Sequence, residues 1–164
     1  MLSTKIKTKV NCILKQQHIH SICMIKKKAS YTVVYNAELK IIETTVDGDI
    51  DLSVLKEIFT MQAQTSKDSN CNLMLNDYRN ARIKITVMEI YELPKIIAKI
   101  AASFGRSASR TIRALVIPTF KEDYRFYETV TANNSQTEKL FFDIEEAKKM
   151  ASSISLIMKT YRSG

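Results

Sequence analysis

Asn72-Leu73-Met74-Leu75-Asn76-Asp77-Tyr78-Arg79-Asn80, followed by a helical pattern that opens at Thr86 and closes near Phe104, decides the fold class. The uninterrupted Leu73-Met74-Leu75 suits a strand covered on both faces, and the polar residues after it predict a turn at its carboxyl end. A buried strand, a turn and a covering helix make half of a parallel α/β unit. In open α/β sheets, ligands and partners meet the protein outside the carboxyl ends of the strands. The loop from Asn76 to Ile85 is therefore where function is expected.

The helix after that loop begins with Thr86 and Glu89 in capping-box spacing. Its apolar positions are Val87, Ile90, Tyr91, Leu93, Ile96, Ile97, Ile100 and Phe104, and Gly105 is placed to end it. Pro94 in its middle predicts a kink, or one helical turn followed by a second helix.

Upstream, the β-branched and aromatic run Tyr31–Tyr35 reads as a strand, the turn Asn36–Glu38 is brief, and Leu39–Val46 reads as a second strand. That spacing predicts an antiparallel hairpin at a sheet edge, with Asp47-Gly48-Asp49 as the next turn. Asp51 is placed to cap a helix with Leu52, Leu55, Ile58, Phe59 and Ala63 on its apolar side, fading in the polar run Thr65–Asn70. Downstream come a strand at Ile112–Pro118, a helix at Glu122–Thr131 with Tyr124, Tyr127 and Val130 facing in, and a strand at Lys139–Phe142. Asp143 and Glu146 then open a last helix burying Ile144, Ala147, Ala151, Ile154 and Met158. The order ββαβαβαβα predicts an α/β fold with a mixed, mainly parallel five-stranded sheet and helices packed on it.

A chain of 164 residues suffices for one self-supporting core, and three Gly and two Pro argue against linkers and against a turn-rich all-β fold. The net charge of +8 is unevenly spread. Seven lysines and no acid lie in residues 1–30, and the other 18 basic residues face all 17 acids. The charge belongs to an arm, and no nucleic-acid partner is expected for the folded part. Within the arm, Leu2, Ile6, Val10, Ile13 and Leu14 have helical spacing, which leaves open a basic amphipathic helix beside a loose extension, or a start of synthesis at Met24. Cys12, Cys23 and Cys71 form no CxxC pair, which points to a reducing, cytoplasmic setting. No apolar run is long enough for a membrane span.

Chemistry-bearing clusters are few. Cys12, His18, His20 and Cys23 have the donor atoms for zinc, but their spacing matches no zinc module, and no metal site is assigned. Arg106-Ser107-Ala108-Ser109-Arg110 has anion-binding chemistry, and a solvated loop is the simpler account. Both histidines lie in the arm, and no nucleophile elbow, glycine-rich phosphate loop or zinc-protease motif occurs. No catalytic residue and no cofactor are assigned. Asp77 and Arg79 flank Tyr78 at the strand end, as a charged rim for docking or as a local ion pair.

The order of elements resembles the STAS fold, and more closely the SpoIIAA-like family of small bacterial proteins. The resemblance spans about residues 31–155 and is carried by the opening hairpin, Asp49-Ile50-Asp51-Leu52, Leu73 to Arg79, Ala114-Leu115-Val116-Ile117, and Phe141-Phe142-Asp143 leading into Glu145-Glu146-Ala147. It implies a STAS-like domain over 31–158, between a poorly ordered basic arm (1–30) and a short tail (159–164). It also implies a non-catalytic regulatory domain that binds another protein, such as a regulatory kinase or sensor, as monomer or dimer. The partner-contact candidates are Asn76, Asp77, Tyr78, Arg79 and Thr86. Anti-sigma factor antagonists of this type carry a phosphorylated serine at the start of the second helix. Here Asp77-Tyr78-Arg79-Asn80-Ala81 has no serine, and the nearest hydroxyl, Thr86, is accounted for as a helix cap, so the serine phospho-switch is not expected. Lipid-binding members of the wider group imply an alternative, an apolar ligand held between the sheet and the Thr86–Phe104 helix.

Overall fold

The computed structural model describes residues 29–119 and 122–160. Residues 1–28 of the arm, with its amphipathic pattern and its cysteines and histidines, lie outside the described residues, as do residues 161–164 of the expected tail and the side chain of Met158, while Ser30 already belongs to the first strand. The elements are β1 (Ser30–Asn36), β2 (Ile41–Ile50), α1 (Leu52–Ser69), β3 (Leu73–Ile83), α2 (Val87–Ser103), a 3-10 turn (Ala108–Arg110), β4 (Ile112–Val116), α3 (Glu122–Asn133), β5 (Thr137–Phe141) and α4 (Ile144–Thr160). Their order is the ββαβαβαβα expected from the sequence.

The strands lie side by side in chain order, with β1 antiparallel to β2 and every later pair parallel. Each parallel step moves one strand in the same direction, so right-handed crossovers place α1, α2 and α3 on one face. Val54, Leu55, Ile58, Ile90, Leu93, Ile97, Tyr124 and Tyr127 share one core there with Val46, Ile50, Tyr78, Leu115 and Ile117. On the other face, Ala147 and Ala151 of α4 pack against Ile41, Ile42, Leu73, Leu75, Ala114 and Val116. None of the described helices is long and apolar enough to cross a membrane.

Local signals set the helix ends. Asp51 accepts a hydrogen bond from Val54 N at the start of α1. Gly105, at φ 71°, closes α2: its own amide donates to Ala102 O at 2.9 Å, and Arg106 N donates to Ala101 O at 2.8 Å. Asp143 caps α4 by accepting from the amides of Glu145 and Glu146.

Two expectations are corrected, and of the two outcomes expected at Pro94 the second helix does not form. The turns expected at Asp47-Gly48-Asp49 and at Asn76–Asn80 are strand instead. β2 and β3 run on together, with Asp47 opposite Asn80, Gly48 opposite Ala81, Asp49 opposite Arg82 and Ile50 opposite Ile83. Ile50 and Ile83 still join the core at the far end of this extension, and parallel pairing overrides the turn preference of the polar residues between. α1 does not fade at Thr65 but reaches Ser69, because Ser66 is buried and donates to Cys71 O while Asn70 takes the left-handed conformation that ends the helix. α2 is a single helix through Pro94. The proline leaves the Ile90 carbonyl without its amide donor, and the joint burial of Leu93, Pro94 and Ile97 offsets that loss; Gln136 Nε2 separately donates to the Pro94 carbonyl at 2.7 Å.

Candidate functional site

The five partner-contact candidates separate into three places. Thr45 pairs with Asp77 and Asp47 with Asn80, so Val46 alone stands opposite both Tyr78 and Arg79: β3 carries one extra residue, a bulge. Before the bulge the strand alternates, turning Asn76 and Tyr78 beneath the helices and Asp77 toward the α4 face. At 2% and 5% exposure, Asn76 and Tyr78 are not surface contacts, which corrects the reading of both as docking residues. The polar loop that would have exposed them does not form.

Asp77 and Arg79 form a local ion pair. Arg79 donates from Nε to Asp77 Oδ1 at 2.9 Å and from Nη2 to Oδ2 at 2.7 Å, and its backbone amide adds a bond at 3.1 Å. The Arg79 guanidinium holds the Asp77 carboxyl below its ordinary value, and Lys148 of α4 adds to this.

Thr86 lies apart from both groups, at the start of α2. Its Oγ1 accepts from Glu89 N at 3.2 Å, and Glu89 Oε2 accepts from Thr86 N at 2.7 Å and Oγ1 at 2.9 Å. These bonds, the backbone one first, hold the Glu89 carboxyl below its usual value. Beside this cap, Val87, Met88 and Tyr91 are exposed by 62, 69 and 51%. Their i, i+1, i+4 spacing puts them together on the outer side of the first turn and a half. Lys95 Nζ lies 5.2 Å from the Tyr91 ring centre and donates to Glu92 at 2.9 Å, giving the apolar patch a charged border.

Beneath α2, a cavity of about 80 Å³ opens between the helices and the sheet. Leu55, Phe59, Ile90 and Leu93 form its apolar wall, and Asn76, Tyr78, Tyr127 and Glu138 supply polar groups. Gln62 of α1 donates from Nε2 to both Thr44 Oγ1 at 2.8 Å and Asn76 Oδ1 at 2.7 Å, tying the helix to β2 and β3. Tyr127 donates to Glu138 Oε2 at 3.0 Å. Burial pushes the Glu138 carboxyl up to about 7, against the opposing pull of Arg113 and of that hydrogen bond. Burial and the Glu138 charge raise the Tyr127 hydroxyl well above its ordinary value, and burial likewise raises Tyr78.

The sequence reading passed over Gln62, Arg113, Tyr127 and Glu138 as site residues. The legible signal was the charge of Arg113 inside Ile112–Val116, a strand otherwise apolar enough to be covered on both faces; Thr137–Phe141 also carries Thr137 and Lys139, so Glu138 gave no such signal. In the loop Arg106–Arg110, expected to be solvated, Arg106 instead turns inward, with Nε on Ser66 Oγ, Nη1 on Asn70 Oδ1 and Nη2 on Asn72 Oδ1. Ser107 and Ser109 bond each other at 2.8 Å. Among the described residues, no group of three or more His, Cys, Asp or Glu side chains is disposed to hold a metal.

No family model matches the chain, and no curated protein matches it. Among solved structures, it is similar to an anti-sigma factor antagonist from Mycobacterium paratuberculosis, at 15% identity and a TM-score of 0.45, over 74% of this chain and 94% of that one. The strand order, the opening hairpin and the alternating helices give this chain the mixed, mainly parallel five-stranded α/β architecture that its sequence predicts.

Proposed function

We propose that this chain is a non-catalytic regulatory domain that binds another protein through the start of α2. The observation that carries this reading is the cluster of Val87, Met88 and Tyr91, large apolar side chains exposed side by side on a helix whose first turn is fixed by a capping box. An ordered apolar patch with a charged border is the composition of a protein contact. A regulatory kinase or sensor is the partner class implied by the resemblance noted above. Thr86 is committed to the cap on both its amide and its hydroxyl, which supports recognition without a phospho-switch.

The test compares affinity capture from native cells by the wild-type chain and by Met88→Asp with Tyr91→Ser. A protein identified by mass spectrometry in the first and lost from the second, with circular dichroism unchanged, is the expected result. Recovery of the same proteins by both chains would overturn the reading.

The cavity beneath α2 favours a second reading, a small-molecule site. At about 80 Å³ it is well below the ~300–1,000 Å³ of drug-sized pockets, so it has room for a few heavy atoms with an apolar body and one hydrogen-bonding end, and none for a lipid chain. Native mass spectrometry of the freshly purified chain checks this. A bound mass that Glu138→Gln loses supports it, and the apoprotein mass alone discards it.

A further inference from the structure

Arg113 stands in β4 between Met74 of β3 and Glu138 of β5, on the face covered by α1 and α2. It is 3% exposed, and its Nε and Nη1 meet no hydrogen-bond partner among the described residues. The side chain lines a second, smaller cavity of about 20 Å³, together with Gln62, Ser66, Arg106 and Thr111. The other polar groups there are engaged. Gln62 Nε2 serves Thr44 and Asn76, Ser66 Oγ donates to Cys71 O at 2.6 Å, Thr111 Oγ1 donates to Ser107 O, and Arg106 holds Ser66, Asn70 and Asn72.

An arginine stays charged at every accessible pH, and a buried cation without a counter-charge is costly. Glu138 lies within electrostatic reach, but it lines the larger cavity and accepts the Tyr127 hydroxyl. No carboxylate lines the smaller one, and two guanidinium groups do. A space of that size admits one particle little larger than a water molecule, which excludes phosphate, sulfate and carboxylates. A water would accept from the two free N–H groups but would bring no negative charge into this cavity, which two guanidinium groups line.

We propose that this cavity binds a small monovalent anion, of which chloride is the abundant cellular example, gripped by Nε and Nη1 of Arg113 with Arg106 as the second positive charge. The anion completes a joint between α1, the carboxyl end of α2 and strands β3 and β4. It is independent of the contact surface at the other end of α2.

The experiment measures Tm of the full chain in sodium chloride and in sodium gluconate at equal ionic strength, alongside the chloride NMR linewidth in the presence of protein. At a chloride concentration about ten times the dissociation constant, Tm is expected to exceed the gluconate value by about 3–5 °C, with excess line broadening. Arg113→Met removes both effects. Should that variant fail to fold, the two wild-type measurements decide. Equal Tm in the two salts without excess broadening assigns the cavity to water and overturns the proposal, as does a chloride effect that survives in Arg113→Met.

Discussion

The hydroxyl of Tyr127 donates to Oε2 of Glu138 across 3.0 Å, one group from α3 and the other from β5, both in the wall of the cavity under α2. The bond fixes α3 to the last strand at a level where neither group reaches bulk water. Burial makes Glu138 a carboxyl that titrates near neutrality, because Arg113 and the hydrogen bond only partly oppose it.

Stability is expected to depend on pH through Glu138. Its carboxyl is raised from 4.5 to about 7 in the folded chain, so the folded state holds the proton more firmly than the unfolded one. The contribution is fully present at low pH and is lost as pH rises from about 4.5 through about 7, by on the order of 1–3 kcal/mol. Glu138→Gln removes this slope. Asp77 and Glu89, both shifted downward, act below that window and do not mask it. Urea unfolding at several pH values between 5 and 8 checks the difference, and coincident slopes for the two chains would mean that Glu138 does not titrate there.

Gln62→Leu is expected to cost about 2–4 kcal/mol although it buries more apolar surface. The substitution strands the Asn76 carbonyl and the Thr44 hydroxyl, both buried, without the donor that serves them. Adding Thr44→Val recovers part of the loss, since a valine leaves no polar group to satisfy. Chemical denaturation of the single and double variants measures both effects, and a loss below about 1 kcal/mol for Gln62→Leu would show that the bridge contributes little.

Most of the architecture was legible because it is written in local signals. The Thr86 and Glu89 pair, Asp51, Gly105 and the period of α2 each act within one or two turns, and each appears where its spacing places it. The site was less legible because it depends on partners far apart in the chain. Asp47-Gly48-Asp49 and Asn76–Asn80 have the composition of turns, and only their pairing with each other makes them strand. That extension, with the bulge opposite Val46, sends Tyr78 inward and Asp77 to the other face, a split that composition cannot announce. Glu138 and Arg113 look like solvated charges until helices α1, α2 and α3 fold over them.

The division of the five candidates gives a discriminating prediction for partner binding. Arg79→Ala alters only the ion pair with Asp77, away from the patch at the start of α2, and is expected to leave partner recovery and Tm unchanged. Met88→Asp places a charge in the centre of the exposed apolar cluster and is expected to abolish recovery. Parallel captures with the two single variants measure this, and the reverse pattern would move the contact surface to the α4 face.

The cap of α2 should influence both stability and recognition. Thr86→Ala removes the acceptor for the Glu89 amide and is expected to cost about 1 kcal/mol. It also unpairs the Glu89 carboxylate from one of its two donors, so Thr86→Ala and Glu89→Gln should combine to less than the sum of their separate effects. The Glu89 carboxyl is held below its ordinary value in the folded chain, so its contribution is present above that value and lost as pH falls through the depressed one. Faster amide exchange at Val87, Met88 and Glu89 in Thr86→Ala would show the first turn fraying. Because Val87 and Met88 stand on that turn, partner affinity should fall with it, while a variant that frays the turn and keeps full affinity would separate the cap from the contact surface.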